Sequence, residues 1–178
     1  MEFRGVDDWR QFFDECQRSA FHMEVRDSYA EPAESEALRR FLNNEPPAEY
    51  DKSDWLELIR SMVGRGVAVS RIRVVTVPHT GYQRWLLSVT GNNVEAGEDI
   101  RYVPRHSVDP AIVPSDDWWL FDENLVAFNL SDSAGKPAGA GITTDPGIVA
   151  YCREVKNLLW PFATPYRDYH ADQVNARK

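Results

Sequence analysis

The sequence predicts one α/β domain, a mixed β-sheet flanked by helices with a long helix near the C-terminus. Three observations carry that expectation. Apolar segments of strand length alternate along the chain with segments of helical period. The 178 residues are 43% hydrophobic and 12% aromatic, enough for a packed core without disulfide or metal staples. Finally, no internal repeat, low-complexity tract or linker divides the chain, so residues 1–178 read as a single unit.

The elements follow in order. Residues 7–18 predict a helix opened by Asp7 or Asp8, with Trp9, Phe12, Phe13 and Cys16 on one stripe. Phe21, Met23 and Val25 alternate with His22, Glu24 and Arg26, the pattern of a half-buried strand. Pro32 suits the first turn of a second helix bearing Ala37, Leu38, Phe41 and Leu42. A polar loop around Pro46-Pro47 precedes a third helix, capped by Ser53 and closed by Gly64. The β-branched run through Val77 is a strand buried on parts of both faces. Thr80 and Gln83 form a capping box for a fourth helix, ended by Gly91 and Asn92. Ile100 to Val103 is a short strand. Trp118–Phe121 and Val126–Leu130 are strands joined by a turn, and 138–143 returns as a Gly/Ala-rich strand. Asp145 and Pro146 open the longest helix, with Ile148, Tyr151, Cys152, Val155, Leu159 and Phe162 at helical spacing. The polar tail 168–178 is expected to fray.

Charge narrows the function classes. Twenty basic against 28 acidic residues give a net charge of −8, which disfavours direct nucleic-acid binding. The acidic start lacks the basic-then-apolar order of a signal peptide, and no apolar run could span a bilayer, so a cytoplasmic protein without membrane contact is expected. Two distant cysteines and four unpaired histidines predict no metal and no cofactor. Residues 60–106 hold seven arginines against three acids. Arg71, Arg73, Arg101 and Arg105, with Tyr82, are the candidate site for a small anionic ligand, because guanidinium meets carboxylate or phosphate in bidentate geometry. The competing expectation is that these arginines pair with acidic neighbours. Trp118 and Trp119 point to opposite faces of their strand and are a candidate partner surface if one face is open. Were the chain an enzyme, His79 and His106 at strand ends, with Asp122 orienting one of them, would be the catalytic candidates. The motifs of P-loop, nucleophile-elbow and dinucleotide-binding proteins do not occur.

Several segments carry a resemblance: Ser19-Ala20-Phe21, Arg65-Gly66-Val67, Ala96-Gly97-Glu98-Asp99-Ile100-Arg101-Tyr102, Trp119-Leu120-Phe121-Asp122 and Leu159-Trp160-x-x-Ala163. Across nearly its whole length the chain resembles a family of uncharacterised actinobacterial proteins often encoded beside helix-turn-helix regulators. Its element order is also similar to one repeat of the phospholipase D-like fold. That superfamily's active repeat has His-x-Lys followed by four residues and Asp. Setting its Asp on Asp122 places Ser115 at the nucleophilic histidine and Asp117 at the phosphate-binding lysine. The resemblance therefore implies a degenerate, non-catalytic member. The expectation is a binding or regulatory protein, either a partner of a helix-turn-helix regulator or a small-ligand sensor. The alternative is a phosphodiesterase-like enzyme using His79, His106 and the arginines. Homodimerisation through a sheet edge or the long helix is a further expectation.

Overall fold

In a computed structural model the described residues are 1–5, 8–29 and 34–175. Three parallel strands form the centre: β2 (Ser19–Glu24), β3 (Ala68–Val75) and β4 (Asp99–Pro104). They are parallel because each connection between them is long and helical. Helices α2 (Ser35–Leu42) and α3 (Ser53–Gly64) cross from β2 to β3, and α4 (Gly81–Val89) and α5 (Gly91–Glu95) from β3 to β4. Strand β5 (Trp118–Phe121) lies antiparallel on the other side of β2. It is followed outward by β6 (Leu125–Ser131), β7 (Pro137–Thr143) and β1 (Glu2–Arg4). The two-residue β8 (Thr164–Pro165) pairs with β4, giving the order β1-β7-β6-β5-β2-β3-β4-β8.

Period-2 alternation sorts the side chains onto two faces. Phe21, Met23, Ile72, Val74, Trp118 and Leu120 pack under α6 (Pro146–Leu159), which contributes Val149, Cys152, Val155 and Leu159. Asp145 starts α6 by accepting the amides of Gly147 and Ile148 at 2.9 and 3.0 Å. On the opposite face Ala20, Val69, Trp119 and Phe121 pack against α1 (Trp9–Glu15) and α3. Further along that face the strands carry charge, and there the site lies.

Mixed architecture, helices on the sheet faces and the order of elements agree with the sequence. The differences have local causes. Asp8 caps no amide of α1, and Asp7 and Pro32 fall outside the described residues. Strand β2 is buried on both faces, His22 and Glu24 included, because the helical layer roofs its polar side. Thr80 accepts the Gln83 amide at 3.1 Å, but the Gln83 side chain donates to the Arg26 carbonyl, so only half the capping box forms. Gly91 opens α5 rather than ending the helical segment. The expected apolar stripe of α6 is split: Tyr151 and Phe162 are 51% and 57% exposed. The tail does not fray at 168. Helix α7 (Tyr166–Asn175) is held by Tyr169, whose ring stacks on Tyr102 at 4.6 Å. The longest helix thus ends at Leu159, and a ten-residue helix is the last described element.

Candidate functional site

Strand register builds the site. Pairing of β2 with β3 sets His22 beside Arg71 and Glu24 beside Arg73, and pairing of β3 with β4 sets Arg73 beside Tyr102. On the other side β5 sets Trp119 beside His22. Residues two apart share a face, so all six side chains lie on one face, and all but Tyr102, which stacks on Tyr169, line one space. The loop before α3, with α3 and α4, roofs that space as a cleft of about 520 Å³.

The floor is an ion network. Arg71 Nε donates to Glu98 at 2.7 Å, and its Nη1 reaches one oxygen of Glu24. Arg73 Nε reaches the other oxygen of Glu24, while its Nη1 donates to Thr90 Oγ1 at 2.6 Å and Tyr102 Oη at 3.0 Å. Asn93 donates to the second oxygen of Glu98 at 3.0 Å and accepts from Lys52 Nζ at 2.6 Å. Both arginines and both glutamates are buried. Burial alone would raise the Glu24 pKa, but Arg71 and Arg73 hold the carboxyl far below the usual range. Burial, helped by Arg71, keeps His22 neutral well below its ordinary pKa. Burial and the nearby arginines lower Lys52 to about 8. At the opposite wall Asp117 accepts from the Val25 amide at 2.7 Å and Tyr29 Oη at 2.6 Å, and burial raises its pKa.

Two buried acceptor-capable atoms stand apart from this order. His22 Nδ1 and Asn129 Oδ1 have no hydrogen-bond partner among the described residues. Nδ1 lies 3.4 Å from Glu24 Oε1 but out of hydrogen-bond geometry. With the imidazole neutral, that approach is a contact rather than an ion pair.

Of the residues expected to bind a ligand, Arg71, Arg73 and Tyr82 meet at this cleft, Tyr82 donating to Glu34 at 2.7 Å. Arg101 does not. It stands on the α6 face, paired with Asp99 at 2.9 Å and 3.9 Å from the Trp160 ring centroid. Nor does Arg105, whose guanidinium caps the carbonyls of Val25 and Val74. The arginines do not form an open anion site: Arg71, Arg73 and Arg101 are paired with carboxylates.

The catalytic trio is not assembled. His79 and His106 follow the C-terminal ends of β3 and β4, His79 held by the Thr76 carbonyl and Tyr169, His106 exposed. Asp122 lies at the other end of the sheet, accepting the amides of Gln17, Arg18 and Ser19 at 3.0, 2.7 and 3.0 Å. Along β3 that is a separation of roughly 20 Å at about 3.3 Å per residue. The partner surface fails as well. Trp118 is 0% exposed, packed on Phe21, and Trp119 is 4% exposed, stacked on His22 at 4.2 Å. Both sheet faces are covered, so both rings belong to the interior.

Glu24, His22, Glu98, Lys52 and Asn129 were not anticipated as site residues. The signal for two of them was present: a polar x polar pair, His22 and Glu24, inside an apolar strand, matched by Arg71 and Arg73 in the next one. Glu98 and Asn129 carry no comparable mark. Among the described residues no group of three His, Cys, Asp or Glu is placed to hold a metal ion, and no helix is long and apolar enough to cross a membrane.

The sheet order and helical layers define a phospholipase D-like α/β fold. A phospholipase D family member, Nuc from Salmonella typhimurium, superposes with a TM-score of 0.56 at 15% identity, over 88% of this chain and 87% of that one. TrmBL2, an archaeal chromatin protein, matches 90% of this chain at 16% identity with a TM-score of 0.49; the chain spans about half, 52%, of its length. No curated protein matches the sequence. The chain belongs to the family described as a domain of unknown function, DUF6879, whose model matches residues 7–171. At the positions that the phospholipase D-like resemblance gives to histidine and lysine, Ser115 is exposed and Asp117 is a buried carboxyl group already bonded to Val25 and Tyr29.

Proposed function

We propose that this protein is a non-catalytic, small-ligand-binding regulatory module. The observation that carries this reading is the 520 Å³ cleft floored by a buried, fully built ion network. Such a floor holds its geometry without a ligand, which is the property of a preformed binding site. Catalysis has no comparable support, because His79, His106 and Asp122 stand at opposite ends of the sheet. The reading extends to a cytoplasmic protein of an actinobacterial cell that transmits ligand occupancy to a helix-turn-helix regulator. The surface for that contact is the outer side of α6 and the turn that follows it, where Tyr151, Leu158 and Phe162 are exposed.

The test is recovery of the tagged protein from its native host, followed by mass spectrometry under native and denaturing conditions. A stoichiometric small-molecule adduct, lost in Arg73→Met, is expected. Co-recovery of a regulator that Tyr151→Asp abolishes would support the second half. An adduct-free protein whose melting point is unchanged by host extract overturns the ligand-binding reading.

A further inference from the structure

Among the described lysines, Lys156 is paired with Glu123 at 2.6 Å and Lys136 is exposed to solvent. Lys52 has neither compensation. It is half-buried in the wall of the cleft, and its Nζ donates only to neutral oxygens, the Val89 carbonyl at 2.5 Å and Asn93 Oδ1 at 2.6 Å. The carboxylates beside it in sequence serve elsewhere: Asp51 accepts the Ser53 amide at 2.8 Å, and Asp54 is exposed. Lys52 also stands immediately before α3, where the positive end of the helix dipole opposes an ammonium. Glu98, Glu34 and the Tyr50 ring, 5.6 Å from Nζ, favour the charge, but burial, Arg73 and Arg71 outweigh them, and the amine titrates at about 8.

Cε and the two acceptors occupy three of the nitrogen's four tetrahedral positions. The fourth holds a proton in the ammonium and a lone pair in the amine. A desolvated lysine beside other cations is the arrangement that makes an amine nucleophilic near neutral pH. We infer that Lys52 is a covalent docking point, its amine condensing with the carbonyl group of an aldehyde or ketone ligand to give a reversible imine. The nitrogen lone pair attacks the carbonyl carbon, a C–N bond forms, and the carbonyl oxygen leaves as water with the two amine protons. Protonated from solvent, the imine keeps one N–H for Val89 or Asn93. Hydrolysis returns both partners, so the bond holds a ligand without turnover. This rests on the ligand-binding reading above.

The amine is tested by incubating the full chain with benzaldehyde and sodium cyanoborohydride near pH 7.5. Hydride reduction of the imine to a secondary amine makes the mark permanent, and peptide mapping separates Lys52 from the chain's α-amine. An amine titrating at about 8 is roughly a quarter neutral at that pH, an ordinary lysine roughly a thousandth. Burial and lower basicity give part of that advantage back, so Lys52 should be marked roughly 10-fold faster than Lys136, or more. Equal or slower marking of Lys52 overturns the imine. The measurement uses the wild-type chain, so no variant has to fold. The ligand class is tested on the protein recovered from its host and reduced with cyanoborohydride before denaturation. A mass increment fixed on Lys52 is expected. An adduct present under native conditions but released on denaturation after reduction overturns the carbonyl assignment and leaves the binding reading standing. No adduct in either form, with a melting point unchanged by host extract, overturns both.

Discussion

Glu24→Gln is the substitution that most directly probes the cleft floor. Each carboxylate oxygen of Glu24 serves a different guanidinium, and Arg71 and Arg73 are 7% and 5% exposed. Without the charge, Arg71 keeps Glu98 but Arg73 keeps only the neutral Thr90 and Tyr102. One buried cation is then uncompensated, a loss of about 3–5 kcal/mol when one partner of a buried pair is removed. A domain of this size has about 5–15 kcal/mol in total, so the variant folds but marginally. At a urea dependence of about 2 kcal/mol per molar, the midpoint falls by about 2 M. Tryptophan fluorescence reports it, because Trp119 lies against the network. Asp99→Asn, whose partner Arg101 is partly exposed, should leave the midpoint where it was. Adding Arg73→Met to Glu24→Gln restores neutrality and should recover more than half of the loss. A Glu24→Gln loss below about 1 kcal/mol, or no recovery in the double variant, refutes the charge-balance argument.

The remaining predictions concern pH, the interior and the chain ends of the sheet. His22 is neutral in the fold, whereas the unfolded chain takes up a proton near its ordinary pKa of 6.5. Stability should therefore fall as pH drops below 6.5, by up to about 1.4 kcal/mol per unit, and His22→Gln should flatten that slope in urea melts at pH 5–7. Glu24 acts in the same direction lower down, its contribution being lost as pH falls below its ordinary 4.5. Trp118 Nε1 is buried without a partner among the described residues, so Trp118→Phe trades a small cavity for removal of an orphan donor. It should stay within about 1 kcal/mol of wild type, against about 3–5 for Trp118→Ala; equal losses would refute the orphan's cost. Asp122 adopts φ 50°, which asparagine tolerates, so Asp122→Asn isolates the carboxylate's hold on three amides. A loss of about 1–2 kcal/mol in thermal melts is expected, with Asp122→Ala worse.

Much of the sheet is legible in the chain because its signals are local. Alternation at Phe21–Val25 and the β-branched run into Val75 identify strands, and Asp145-Pro146 marks where α6 begins. The shortest strands, β1 and β8, leave no such signal; three residues and two residues pair only because β7 and β4 offer edges. The site was half legible. Arg71 and Arg73 announce a charged strand face, but their partners sit 47 residues back at Glu24 and 27 ahead at Glu98. Sequence distance hides that pairing, so an anion site and an internally balanced network look alike. Asp122, placed with the histidines by motif logic, illustrates the same limit: a turn residue beside β2's beginning is far from loops at β3's end. Strand alternation alone sets the tryptophans on opposite faces, yet whether each face is covered depends on α6, α1 and α3, not on the strand itself.

The charged pair and its bridge also constrain how the chain finds its alignment. Moving β2 along β3 by one residue would turn Glu24 toward α6, among Phe21 and Met23's apolar neighbours, and leave Arg73 without a carboxylate. A two-residue slide would keep the face but set Glu24 opposite the wrong position, stranding one guanidinium. Apolar strands of this kind tolerate sliding well, since one branched side chain replaces another at small cost. A single acid between two bases removes that tolerance. The same acid and two arginines that floor the cleft thus act as a registration mark, excluding near-miss sheets during folding before any ligand is met.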